Sequence, residues 1–118
     1  MATAKTWLEL LATAKAVFDT IKSGIDFGTA YEKHRNESDT RNEAQRVSVA
    51  FSTYSDDEVN AILARLQDCR ARFITEGSGP QRQRCFCSVF LDVAEGNGGV
   101  MPEIDDWRNM FDQFGCSR

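Results

Sequence analysis

The sequence predicts an all-α protein, a compact bundle of four to five helices that forms a single domain over residues 1–118. The length of 118 residues is typical of one domain. Hydrophobic residues make up 42% and charged residues 27% of the chain, values that are typical of globular proteins and not of disordered ones. Proline occurs only at Pro80 and Pro102, so long stretches can remain helical, and apolar residues recur at helical spacing along most of the chain.

A long amphipathic N-terminal helix is predicted from about residue 3 to about residue 31. Its apolar residues form a stripe about 120° wide and follow the alternating steps of four and three of a heptad seam. Unbroken, this helix would be about 43 Å long, whereas a domain of this size has a radius of gyration of only about 13–14 Å. Unless it breaks near Gly24, we expect it to pack on a second copy of the chain or on another protein through Trp7, Leu11, Phe18, Ile21 and Ile25.

Residues 32–45 are strongly polar and predict a solvated turn or helix surface. Thr40 and Glu43 fit a capping box, and His34, the only histidine, is expected at the surface. Residues 44–54 match helical spacing, but the alternation of Val47, Val49 and Phe51 also fits a short strand; helix is the preferred interpretation.

The second half of the chain predicts an antiparallel helical hairpin from Ser55 to Glu95. Ser55 and Glu58 form a capping box, Gly77 ends the first helix, and Pro80 suits the first turn of the second. The connection is short enough to make the two helices antiparallel neighbours. The expected buried residues are Val59, Ile62, Leu63, Leu66 and Phe73 on the first helix and Phe86, Val89, Phe90 and Val93 on the second. A last short helix, from about residue 105, presents Trp107, Met110, Phe111 and Phe114.

The four cysteines are predicted to be reduced and metal-free. The N-terminal segment does not match a signal peptide, which favours a cytoplasmic location where thiols stay reduced. Cys85 and Cys87 are separated by one residue, a spacing that does not suit zinc, and on a helix their side chains diverge by about 200°. We therefore expect four free thiols at Cys69, Cys85, Cys87 and Cys116.

Charge and motifs argue for a binding protein and against an enzyme. The net charge is −4, which disfavours general binding to nucleic acid. The lone histidine has no matching nucleophile pattern, the acidic residues show no catalytic pairing, and the glycines match no phosphate or dinucleotide fingerprint. We predict no catalytic residue, no metal and no cofactor, and a small cytoplasmic protein-interaction module of the inhibitor, immunity or adaptor type.

Two other functions stay open at this point. The first is membrane association or self-assembly through the N-terminal helix, whose apolar stripe is bordered by Lys15 and Lys22, although acidic residues on its polar side make this less favoured.

The second is a sensor of a small anionic ligand. Five arginines lie within residues 65–84, and helical geometry turns Arg70 and Arg82 inward at the same end of the hairpin. There they would lie beside the free backbone amides at Ser78 and Gly79, where a helix N-terminus favours an anion.

Overall fold

The protein is helical throughout the part of the chain that the structure describes. This computed structural model describes the backbone of residues 2–76, 80–96, 109, 112 and 116, and the side chains of these residues except 21, 73–76 and 80–83. Within these residues there are five helices and no strand, which confirms the all-α prediction: α1 Ala4–Ser23, α2 Phe27–Asn36, α3 Ser38–Ala50, α4 Asp56–Glu76 and α5 Pro80–Gly96.

The backbone divides into two compact units, and the boundary falls inside α4. Unit 1 is Met1–Leu63 and unit 2 is Ala64–Arg118. The prediction of one domain over residues 1–118 stays a prediction. None of the described helices is long and apolar enough to cross a membrane.

Helix α1 ends at Ser23 and is capped by Gly24, so the prediction of one unbroken helix from residue 3 to residue 31 is wrong and the alternative, a break near Gly24, is confirmed. Gly24 has a φ of +69°, and its N–H donates to the carbonyl of Thr20 at 3.1 Å. Glycine adopts this left-handed conformation without the steric penalty of a Cβ atom, which makes it a common helix stop. A second helix then begins at Phe27. Helix α1 has 20 residues and is about 30 Å long. We expect an external partner only for an unbroken helix of about 43 Å, so the length of α1 does not require one.

The core of unit 1 is built around Trp7. Its ring stacks on Phe51 with centroids 5.4 Å apart and meets Tyr54 edge-on at 6.0 Å. Trp7 and Leu11 are both 0% exposed, so their own chain covers them and the prediction that they contact a partner does not fit the structure. The apolar side chains buried with them include Leu10, Val17, Ala44, Val47 and Val59.

The C-terminal end of the predicted interaction stripe is less covered. Phe18 is half-buried, and the ammonium group of Lys22 lies 5.1 Å from the centre of its ring. Ile25 is 43% exposed, and the side chain of Ile21 lies outside the described residues. Any intermolecular role of the stripe is therefore confined to this end.

The polar stretch between residues 32 and 45 is helix on both sides of a single extended residue, Glu37. Helix α3 continues to Ala50, which confirms helix over strand for residues 44–50. The capping box predicted at Thr40 and Glu43 is wrong, because α3 begins before them at Ser38. Both residues lie within α3 and are buried in the protein.

The capping box at the start of α4 is confirmed. The Ser55 hydroxyl accepts from the Glu58 N–H at 3.2 Å, and the Glu58 carboxylate accepts from the Ser55 N–H at 3.2 Å. Next to it, Asp56 accepts hydrogen bonds from the Thr3 N–H at 2.9 Å and the Thr6 hydroxyl at 2.8 Å. Asp56 thereby ties the first turn of α4 to the first turn of α1 within unit 1.

In unit 2, the end of α4 and helix α5 form the predicted antiparallel hairpin. Arg65 pairs with Asp92, and Cys69, one turn later in α4, is bonded to Cys85, which comes earlier in α5 than Asp92. The two helices therefore run in opposite directions. The predicted buried residues Leu66, Phe86, Val89, Phe90 and Val93 are buried. The side chain of Phe73 and most of the predicted last helix lie outside the described residues, although Asn109 and Asp112 are helical.

Candidate functional site

The cysteines form two disulfides, which overturns the prediction of four reduced thiols. Cys69 of α4 is bonded to Cys85 of α5, and Cys87 of α5 is bonded to Cys116. The divergence of Cys85 and Cys87 around the helix, which argues against a bond or a shared zinc ion between them, directs each of them to a different partner. The sequence does contain a signal for the first disulfide. Cys69 and Cys85 each lie eight residues from position 77, where the predicted hairpin turns, so the two antiparallel helices bring them opposite each other.

An open groove lies beside the first of these disulfides, between α4 and α5. Its volume is about 340 Å³. We call it the arginine groove. The described residues that line it are Arg65, Asp68, Cys69 and Arg72 from α4 and Arg84, Cys85, Ser88 and Val89 from α5. Residues three and four apart share a face of a helix, which is why these positions line one side of the hairpin.

The arginine groove carries three guanidinium groups, and two of them are paired with carboxylates of described residues. Arg65 lies 2.7 Å from the Asp92 carboxylate, and Arg72 lies 3.3 Å from Asp68. Arg84 is exposed and makes no ion pair with a residue that the structure describes. Both ion pairs are about half exposed or more, and such pairs contribute only about 0–1 kcal/mol. These two ion pairs are therefore only a small energetic obstacle to a ligand carboxylate or phosphate in the groove.

The anion site predicted from the sequence is a different arrangement. Arg70 is half-buried and does not line the arginine groove. The side chain of Arg82, together with Ser78 and Gly79, lies outside the described residues, so that site stays a prediction. Sequence reasoning favoured the inward-facing arginines and missed that the neighbouring ones share an outer face.

A buried charged cluster in unit 1 was also missed. The ammonium group of Lys15 lies 2.8 Å from the Glu43 carboxylate and donates to the Thr40 hydroxyl at 3.2 Å. The side chains of Lys15 and Glu43 are only 8% and 11% exposed. The cluster fixes how α1 sits against α3, and it removes Lys15 from the residues that could face a membrane.

His34 is buried between two carboxylates, so the prediction of a surface histidine is wrong. Its Nε2 atom lies 2.5 Å from Asp19, and its Nδ1 atom lies 3.4 Å from Glu37. A catalytic base needs a ring nitrogen directed at a nucleophile. Because both nitrogens of His34 face carboxylates, the arrangement joins α1 to α2 and offers no general base.

Within the described residues, no group of three or more His, Cys, Asp and Glu side chains is placed to hold a metal ion. The chain matches no protein-family model, and no curated protein or solved structure matches it either.

Proposed function

We propose that this chain is a non-catalytic interaction module that binds another protein through the arginine groove. One observation carries the proposal: Arg65, Arg72 and Arg84 come from two helices and line a single open groove. The Cys69–Cys85 disulfide forms part of that lining and links the two helices covalently. A groove held in this way loses little conformational freedom on binding, which favours affinity.

The chemistry of the groove selects a partner segment that carries carboxylates. Guanidinium groups form paired, charge-assisted hydrogen bonds with carboxylates, a geometry that lysine does not offer. The net charge of −4 does not prevent this, because charges more than about 8 Å apart are largely screened at physiological ionic strength. The charges within the groove therefore decide what binds there.

The two disulfides also bear on where such a partner would be met. Disulfides persist in oxidising compartments and are rare in the cytosol. The cytoplasmic location expected from the sequence implied reduced thiols, and the two disulfides do not fit that implication. We therefore place the proposed interaction in an oxidising compartment.

A peptide-binding experiment tests the proposal. The probe is a fluorescently labelled peptide of alternating glutamate and glycine, and its control replaces every glutamate with glutamine. The double variant Arg72→Gln/Arg84→Gln removes two guanidinium groups from the groove. The matched control, Arg41→Gln/Arg46→Gln, removes the same charge from exposed positions on α3 in unit 1.

Fluorescence anisotropy should show that the parent protein binds the acidic probe and not the glutamine probe. The groove variant should bind at least about tenfold more weakly, a difference of about 1.4 kcal/mol, while the α3 variant stays close to the parent. An equal loss in both variants would mean that only total charge matters. Preferential binding of a lysine–glycine peptide would show that acidic residues of the chain, and not the groove arginines, are the recognition element. Either result would overturn the proposal.

A further inference from the structure

The two disulfides differ in their surroundings. Cys69 and Cys85 both line the arginine groove, and Cys85 is only half-buried. Cys87 and Cys116 are 8% and 3% exposed, and neither lines the groove. Cys85 is therefore the most exposed of the four cysteines, and the second disulfide provides a reference within the same molecule.

The groove also supplies the charges that thiol chemistry requires. The attacking species in thiol–disulfide exchange is a thiolate, and a sulfur leaves more readily when nearby cations stabilise its thiolate form. Arg65, Arg72 and Arg84 line the groove beside the Cys69–Cys85 disulfide. Arg65 and Arg72 are each paired with a carboxylate, so Arg84, which makes no ion pair with a described residue, supplies the excess positive charge. This positive charge would attract an anionic thiol, and it would also stabilise the departing sulfur of Cys69 as a thiolate.

We propose that Cys69–Cys85 is a thiol–disulfide exchange site that accepts small thiols carrying carboxylates. This inference uses the same groove as the proposed function but does not depend on a protein partner. The recognition element is the set of three arginines, and the reacting atom is the Sγ atom of Cys85, since Cys69 is only 3% exposed.

The exchange proceeds in two balanced steps. A thiolate attacks Cys85 Sγ, a mixed disulfide forms, and the Cys69–Cys85 bond breaks with its electron pair retained by Cys69 Sγ as a thiolate. A second small thiolate then attacks the small-thiol sulfur of the mixed disulfide and releases Cys85 as a thiolate. The two small thiols are oxidised to their disulfide, the protein disulfide is reduced, and the protons of the two thiols end on Cys69 and Cys85.

Time-resolved disulfide mapping tests this site. The oxidised protein is incubated without oxygen with reduced glutathione, a net anionic thiol, or with cysteamine, a cationic one. Samples are quenched with acid, alkylated and analysed by peptide mass spectrometry at early times. The quantity measured is the initial opening rate of Cys69–Cys85 divided by that of Cys87–Cys116, a ratio in which the intrinsic reactivity of the thiol cancels.

With glutathione the ratio should exceed about ten, and with cysteamine it should be several-fold smaller. Arg72→Gln/Arg84→Gln should lower the glutathione ratio several-fold, whereas the control Arg41→Gln/Arg46→Gln should leave it unchanged. Added sodium chloride should reduce the preference for glutathione, because salt screens the guanidinium charges.

Three results would overturn the inference: equal opening of the two disulfides, earlier opening of Cys87–Cys116, or a ratio that ignores both the charge of the thiol and the groove arginines. The outcome is separable from that of the proposed function. Acidic-peptide binding without selective exchange would leave only the binding module, and selective exchange without peptide binding would leave only the exchange site.

Discussion

The buried ion pair of Lys15 and Glu43 joins α1 to α3, and we predict that breaking it destabilises the fold. Replacing Lys15 with methionine removes a positive charge that lies 2.8 Å from a carboxylate with a side chain only 11% exposed. Breaking a buried ion pair by removing one partner costs about 3–5 kcal/mol, because the other charge stays buried without compensation. Replacing both partners with apolar residues of similar size is often neutral or stabilising by about 1–4 kcal/mol.

We therefore expect Lys15→Met alone to lower the free energy of unfolding by about 3–5 kcal/mol. The double variant Lys15→Met/Glu43→Leu should recover most of that loss. Urea unfolding followed by far-UV circular dichroism gives the free energies. Thermal melting should show the single variant about 10–20 °C below the parent.

The matched control is the exposed pair of Lys33 and Glu37, 4.0 Å apart with side chains 61% and 40% exposed. Lys33→Met should change stability by no more than about 0.5 kcal/mol, as is typical of surface pairs one helical turn apart. The reasoning is refuted if Lys15→Met costs less than about 1 kcal/mol. It is also refuted if the double variant is as unstable as the two single losses added together.

Two further predictions concern the contacts around the start of α1. Trp7→Ala should lower the free energy of unfolding in urea by about 3–5 kcal/mol, because the ring is 0% exposed and stacks on Phe51; a loss below about 1 kcal/mol would contradict this packing. The Thr3 N–H and then the Thr6 hydroxyl, by donating to Asp56, hold the pKa of that carboxyl below its ordinary value of about 3.9. The stabilisation by Asp56 is therefore present at pH values above the ordinary pKa and is lost as the pH falls through the lowered pKa. The melting temperatures of Asp56→Asn and the parent should differ at pH 7 and converge in strong acid. An equal difference at both pH extremes would exclude this assignment.

Sequence patterns located helix ends well where the end is made by local chemistry. The Ser55–Glu58 capping box and the proline at the start of α5 depend only on neighbouring residues, and both were predicted. The end of α1 near Gly24 is predicted only as an alternative from the sequence, because the apolar spacing continues through Gly24 to Ile25. Apolar spacing indicates which residues would share one face of a helix. A glycine in the left-handed conformation ends the helix, but the spacing of the apolar residues around it stays the same.

The buried polar residues of unit 1 could not be identified in the same way. Thr40 and Glu43 match a capping box, and the surrounding stretch is polar enough to suggest solvent. What decides their position is Lys15, which lies 25 residues before Thr40 and bonds both of them. A contact of this kind depends on how α1 and α3 pack, and no local pattern encodes it.

The cysteines were misassigned for a different reason, which also clarifies the chemistry of unit 2. The spacing of Cys85 and Cys87 argues against a bond between them, yet their divergence around α5 lets the helix carry two separate disulfides two residues apart. A disulfide with a sequence separation of 16 stabilises a fold by about 3 kcal/mol in the chain-entropy description. Opening Cys69–Cys85 would remove that covalent link between α4 and α5 while Cys87–Cys116 still restrains the other face of α5. The same two helices carry the arginines of the groove, so the proposed binding site and the proposed exchange site share this covalent link.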